Sequence, residues 1–191
     1  TLILVGCPSS VPQARTDAQR VNALADAYRA GFLVQQPEWE YSSGTFPERH
    51  DGLADNSPAA LARWQAAEDR WLAALRSINA SALVGTTEWI TLGVLREQLE
   101  SSIELRSCHA ESWQTVSFLD SWLVTFARLA DIQPVGSEAE RMQGLTRWNK
   151  IPAYVRQEIP NLRAGLAHKY SAPRPIAERM LKQLDDLFAA K

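Results

Sequence analysis

In residues 147–188 the apolar positions recur at intervals of three and four, and prolines punctuate them at a few definite places. Ile151, Tyr154, Val155, Ile159, Leu162 and Leu166 share one helical face, and Ile176, Met180, Leu184 and Leu187 share another. A strand alternates its side chains every second residue and cannot gather such a set on one side. The stretch is therefore two helices joined by a turn. Pro152 suits a first helical turn, where no N–H is needed. Pro160 lies about two turns further on and is expected to kink or break the first helix. Pro173 and Pro175 close the turn 169–175 and prime the second helix.

The same period governs the rest of the chain. A first helix is expected over 13–36, with Val21, Leu24, Tyr28 and Phe32 on one face, Gly31 as an internal weak point and Pro37 as its stop. Ser57 followed by Pro58 starts a second, running to about Asn79. Its seam is Leu61, Trp64, Trp71, Leu75 and Ile78, with Glu68 in the one gap. Ala67 is expected to fill that gap while Glu68 reaches outward toward an arginine. After a connector at 79–85, Thr86 or Thr87 caps a long helix to about His109, striped by Trp89, Leu92, Leu95, Leu99 and Ile103. Arg96 and Glu100 are placed to pair on its exposed side. The short connection makes these two helices antiparallel neighbours. Residues 110–135 are less regular, with an apolar face from Val116 to Phe126. Ser137 with Glu140 forms a capping box for a helix whose apolar residues are Met142, Leu145 and Trp148. No run has the alternation of a strand. The expected class is all-α, an irregular bundle of about seven helices forming a single domain over 13–191.

Between the first two helices lies a loop at 37–57, rich in Gly, Pro, Ser, Asn and Asp, that carries Trp39, Tyr41 and Phe46. A loop of that length in a compact domain is usually functional or folded onto its own side chains.

Charge excludes one class of function. The net charge is −2, so bulk charge gives no reason to expect nucleic-acid binding. Its distribution is uneven: of the 20 Lys/Arg and 22 Asp/Glu, ten and four respectively fall after residue 140. Two solvated faces of opposite sign would account for this, as would a basic surface that docks on an acidic partner.

Catalytic signatures are missing. The three histidines, His50, His109 and His168, lie far apart, and H-E-x-x-H, C-x-x-C, G-x-S-x-G and a glycine-rich phosphate loop are all absent. His109, with Cys108 and Glu111 nearby, comes nearest to a ligand cluster, but neighbours on a helix point in different directions. His50 beside Asp51 could pair as acid and base, although such a loop dyad is ordinarily solvated. No catalytic or metal-binding residue is assigned. Trp39, His50, Asp51, Glu68 and Arg174 are the candidates for contact with a substrate or partner.

The chain opens on Leu2-Ile3-Leu4-Val5-Gly6-Cys7, an apolar run too short to span a membrane. It has the look of the end of a secretory signal. Leu4-Val5-Gly6-Cys7 resembles the bacterial lipobox, which makes Cys7 the expected lipidation site and residues 1–12 a signal remnant and tether. Pro8 follows Cys7 where Asp would signal inner-membrane retention. A cell-envelope location, lipid-anchored or periplasmic, is the expectation.

Several ordered segments carry a family resemblance: A-D-A-Y-R-A-G-F-L-V-Q-Q-P-E-W, H-D-G-L-A-D-N-S-P-A-A-L-A-R-W, L-R-E-Q-L-E, R-W-x-x-I-P-x-Y-V, N-L-R-A-G-L-A-x-x-Y and A-P-R-P-I-A-E-R-M-L-x-Q-L. Together they resemble the bacterial family known as domain of unknown function 885, over most of residues 20–188. The resemblance implies a larger protein, about three times this length, that looks like a helical zinc metallopeptidase of the H-E-x-x-H kind. Its metal-binding residues would lie later in the chain, so none is assigned here. By that likeness this sequence would be the N-terminal helical region, inactive alone, walling a substrate channel and docking on the catalytic half. A free-standing helical lipoprotein that acts as a binding or interaction module is the alternative.

Overall fold

Side-chain oxygens set where most of the helices begin. Thr16, Ser57, Thr86, Ser121 and Ser137 each accept a hydrogen bond from a backbone N–H in the first turn that follows. Such caps satisfy donors that the helix leaves unpaired and contribute about 1 kcal/mol each. The computed structural model describes residues 15–42, 47–119 and 121–189. Among these are seven α-helices: α1 Asp17–Gln35, α2 Pro58–Arg76, α3 Thr87–Leu105, α4 Trp122–Ile132, α5 Glu138–Trp148, α6 Ile151–Ala167 and α7 Arg174–Ala189. Short 3-10 turns occupy Pro37–Ser42, Ala80–Leu83, Arg106–Cys108 and Ala110–Ser112. The chain is all-α, with no strand among the described residues.

The helix ends are tighter than the periodicity suggests. Helix α1 starts at Asp17 because Thr16 and Gln19 make a reciprocal capping box. Helix α3 stops at Leu105, and the backbone turns at His109, which is left-handed with φ 47°.

Helices α1, α2 and α3 pack around Val21, Leu72, Leu75, Ile78, Leu83, Leu92, Leu95 and Leu99. At one end this core passes into an aromatic cluster. Trp71 meets Tyr28 edge-on at 5.6 Å and Trp64 at 5.6 Å. Gly31 proves to be part of that packing, not a weak point. A Cβ there would stand 2.6 Å from the Trp71 ring, so only glycine lets α1 approach α2 this closely. The seam of α3 faces inward as expected, except that Trp89 is half-exposed. Glu100 pairs across the helices with Arg76 at 3.3 Å, not along its own helix with Arg96.

Glu68 also departs from expectation. It is 2% exposed, accepts from Ser102 Oγ at 2.6 Å and is bridged by Arg106 at 2.9 Å. The arginine partner was anticipated; the burial was not. Arg106 leans in from the end of α3 and brings the cation to the carboxylate, so Glu68 need not reach for water.

The second half of the chain has a sparser apolar interior, with Phe126, Leu129 and Met180 buried. Polar groups fill much of the remainder: Arg147, Glu158, Gln133, His50 and Ser121 are all buried. Met142 and Leu145, expected on an inward face of α5, are 57% and 56% exposed, because Gly144 and Arg147 take the inner side. On α6, Ile159 and Leu166 likewise turn outward while Glu158 and Gly165 turn in. On α7, Leu187 is exposed.

Pro160 does not break α6, which runs through it uninterrupted. The missing proline N–H removes one backbone donor there. Side-chain bonds hold the helix on both sides of it: Asn56 Nδ2 donates to the Tyr154 carbonyl at 3.1 Å, and Asn161 Nδ2 donates to the Asn56 carbonyl at 2.8 Å. Gly165 then lies directly against the Ser112 carbonyl, where a Cβ would collide with it.

Candidate functional site

The segment 47–57 is not a free loop. Its polar backbone is bound by side chains from α5 and α6, from Gln133 and Lys150 in the connections beside them, and from the 3-10 turn that precedes it, which satisfies groups that burial would otherwise strand. Arg147, 1% exposed, donates through Nε to the Gly52 carbonyl at 2.6 Å. Its Nη1 donates to the Tyr41 hydroxyl at 2.9 Å and to Gln133 Oε1 at 2.8 Å. The guanidinium also lies over the Tyr41 ring, 5.2 Å from its centre. Tyr41 and the His50 ring share a hydrogen bond of 2.8 Å, and the His50 N–H donates to Gln143 Oε1 at 2.8 Å. Lys150 Nζ donates to the Asp51 carbonyl at 2.7 Å. Further along, Ala54 N–H donates to Glu38 Oε1 at 2.7 Å.

So pinned, residues 54–58 form one edge of an open cleft of about 440 Å³. Gln35 and Gln36 at the end of α1, Glu111 to Thr115 in the α3–α4 connection, and Tyr154, Glu158 and Asn161 on α6 line the rest. That volume is within the range of small-ligand and side-chain sites. A smaller recess of about 180 Å³ shares Gln36, Ala54, Thr115 and Tyr154 with it and adds Glu38, Trp122 and Phe126. Neither lining contains a Lys, Arg or His. Burial, Glu158 and Glu38 together push the Tyr154 phenol well above its ordinary range, so it remains a protonated hydroxyl.

Burial also raises the Glu38 carboxyl above its ordinary value of 4.5, against the opposing pull of the Ala54 N–H and Arg147. A raised folded-state pKa means that the fold prefers the neutral acid. Stability associated with Glu38 is then fully present below 4.5 and declines as pH rises through the folded value. Glu38→Gln keeps an acceptor for Ala54 and removes the charge. It is expected to raise the urea midpoint at pH 7 by a small margin and to leave it unchanged at pH 3.5. An equal gain at both pH values would contradict the assignment.

The residues singled out from sequence are scattered. Trp39 is 57% exposed and leans edge-on against Phe32 at 6.2 Å. His50 is buried, not solvated, and faces Tyr41. Asp51 turns to Arg49 instead, whose hydrogen bond holds its carboxyl below the ordinary range. The two therefore form no acid–base pair. Glu68 and Arg106 line a separate recess of about 280 Å³. Arg174 is solvated and pairs along its helix with Glu178 at 2.7 Å. His109 and Glu111 approach to 3.4 Å, and Cys108 is exposed. Cys7, the tether at 1–12 and Phe46 lie outside the described residues.

Among the described residues no group of three His, Cys, Asp or Glu side chains could hold a metal ion. The described residues thus do not fit a zinc site. No described helix is long and apolar enough to cross a membrane.

Sequence reasoning missed Arg147, Glu158, Glu38, Asn56 and Gln133. One signal for Glu158 was available. Tyr154, Glu158, Asn161 and Gly165 follow a spacing of four, three and four, a polar face beside the apolar one.

Fold and site together define an all-helical protein with an open, acidic cleft. The chain belongs to the family described as "Bacterial protein of unknown function (DUF885)", which matches residues 37–191. No curated protein and no solved structure matches it.

Proposed function

We propose that this chain is the N-terminal helical region of a secreted or lipid-anchored, zinc-metallopeptidase-like protein of the cell envelope, and that it walls one side of the substrate channel. Zinc and the H-E-x-x-H helix belong, in this reading, to a later part of the polypeptide, and Cys7 carries the lipid. The chain binds and orients substrate and performs no bond-breaking step.

The observation that carries the reading is the outward face of α6. Arg156, Ile159, Arg163 and Leu166 follow one another at spacings of three, four and three, and all four are exposed. Leu181 and Phe188, seven residues apart on α7, are 60% and 83% exposed. Apolar side chains in register on a helix ordinarily mark a buried face. Interleaved arginines suit an acidic and apolar partner. Much of the other basic charge of this region is already engaged: Arg147 is internal, and Arg174 and Lys182 pair with Glu178 and Asp186.

Co-expression with the H-E-x-x-H-bearing remainder of the polypeptide tests this. A one-to-one complex is expected on size exclusion, and Ile159→Glu with Leu166→Glu should abolish it without changing the helical circular dichroism. An open reading frame with no such remainder, or a complex indifferent to the double substitution, would favour a free-standing helical lipoprotein that binds its ligand alone.

A further inference from the structure

The cleft presents three carboxylates, those of Asp55, Glu111 and Glu158, and its adjoining recess presents Glu38. Two of the three have a basic side chain beside them: Arg63 approaches Asp55 at 3.4 Å and the His109 imidazole approaches Glu111 at 3.4 Å. Glu158 is different. It is 6% exposed, and among the described residues it forms no salt bridge. Its hydrogen bond comes from a neutral donor, Asn56 Nδ2, at 2.7 Å. Asn56 is itself held firmly, by the Tyr154 carbonyl at its amide nitrogen and by Asn161 at its own carbonyl. The carboxylate is thus fixed at the cleft wall, and no cation among the described residues pairs with it. Buried carboxylates are ordinarily paired with a cation or a metal. With no metal-binding group among the described residues, an organic cation is the matching ligand.

The same wall holds a polar atom without a partner among the described residues. Thr115 Oγ1 is buried and has no hydrogen-bond partner, and Thr115 lines both the cleft and the recess. The two hollows share four residues, so the space is elongated. Such a shape fits an extended chain better than a compact ion.

We propose that the cleft binds one Lys or Arg side chain of an extended peptide, with Glu158 as its carboxylate partner. The proposal rests on the channel-wall reading and adds a preference for basic residues at one position of the bound peptide. Glu158 is a binding residue here. It takes no part in bond cleavage.

Three probes separate the possibilities in calorimetric titration of the 191-residue chain. They are a capped Gly-Gly-Arg-Gly-Gly peptide, the same peptide with neutral citrulline for arginine, and agmatine, a free guanidinium. The arginine peptide should bind roughly tenfold or more tightly than the citrulline peptide. Glu158→Gln, which can still accept from Asn56, should erase that difference, while Glu111→Gln at the rim should change it by no more than about threefold. Circular dichroism reports whether each variant folds. Should Glu158→Gln fail to fold, the arginine-to-citrulline ratio of the unaltered chain decides by itself. Equal affinity for the two peptides would overturn the cation site and leave the channel-wall reading standing. Agmatine binding as tightly as the arginine peptide would overturn the peptide source. No binding by any probe would overturn the cation site and remove the chain's part in holding substrate.

Discussion

Arg147→Ala should cost this protein about 3–5 kcal/mol, because the polar groups it leaves unpaired and the cavity it opens add together. At 1% exposure the side chain has no route to water. Its removal would strand the Gly52 carbonyl and Gln133 Oε1 and leave the Tyr41 hydroxyl with His50 alone, so that each loses a short hydrogen bond. A buried polar group without a partner costs about 1–3 kcal/mol. The vacated volume adds a cavity cost beneath the Tyr41 ring. For a domain of this size the melting temperature should fall by about 10 °C. Arg147→Lys keeps the charge but loses the planar fork, and should recover less than half of the loss. The damage should also be local to function. His50, Gly52 and Ala54 would lose the frame that presents the cleft edge, so the arginine peptide should bind more weakly even where Arg147→Lys still folds. A fall in stability below about 1 kcal/mol for the alanine variant would show that the segment 47–57 is held by something else.

The two halves of the fold differ in how far the sequence discloses them. In α1–α3 the apolar seam and the buried core coincide closely: Val21, Leu75, Ile78, Leu92, Leu95 and Leu99 are all buried as the periodicity implies. Burial there is driven by apolar area alone, which hydrophobic spacing measures directly. In α5 and in part of α6 the spacing groups residues on faces but turns several of them the wrong way, whereas on α7 Met180 is buried as the spacing implies. Met142, Leu145, Ile159 and Leu166 look outward, while Arg147 and Glu158 look in. Those two side chains are held by Gly52, Tyr41 and Asn56, roughly a hundred residues earlier in the chain. No local window contains both partners, so hydropathy counts each charged residue as a surface residue. The same limit hid the cleft, since its walls come from four separated segments. Caps were legible because both partners lie within four residues, as with Ser137 and Glu140. Gly31 and Gly165 were not, because what requires glycine at each is a neighbour distant in sequence, Trp71 or Ser112.

Glu68→Ala should be the second most damaging change, at about 3 kcal/mol. The carboxylate ties α2 to α3 by two bonds, from Ser102 Oγ and Arg106 Nη2. Arg106 Nη2 also donates to the Gln65 carbonyl at 3.0 Å, and Nη1 to Asp69 at 2.9 Å. Burial draws the Arg106 pKa down, but its hydrogen bonds to Glu68 and Asp69 outweigh this and hold it above the ordinary value. Removing Glu68 leaves a partly buried guanidinium with the Gln65 carbonyl and a single carboxylate, Asp69, itself 56% exposed and therefore weakly coupled. Arg106→Ala leaves a buried carboxylate with a single hydroxyl donor and should cost a similar amount. The double variant should then cost clearly less than the two single losses together, since the second deletion removes a charge already stranded by the first. Urea unfolding of the four proteins measures the coupling. Strict additivity would mean that the pair does not act as a unit. Replacing both residues by apolar ones of similar size, Glu68→Leu with Arg106→Met, makes the sharper comparison. Deleting both charges at once also removes the desolvation cost they share, so this variant should lie close to the unaltered protein in stability although each single charge deletion is severe. That outcome would separate the cost of breaking the pair, which is large, from its net contribution to the fold, which is small.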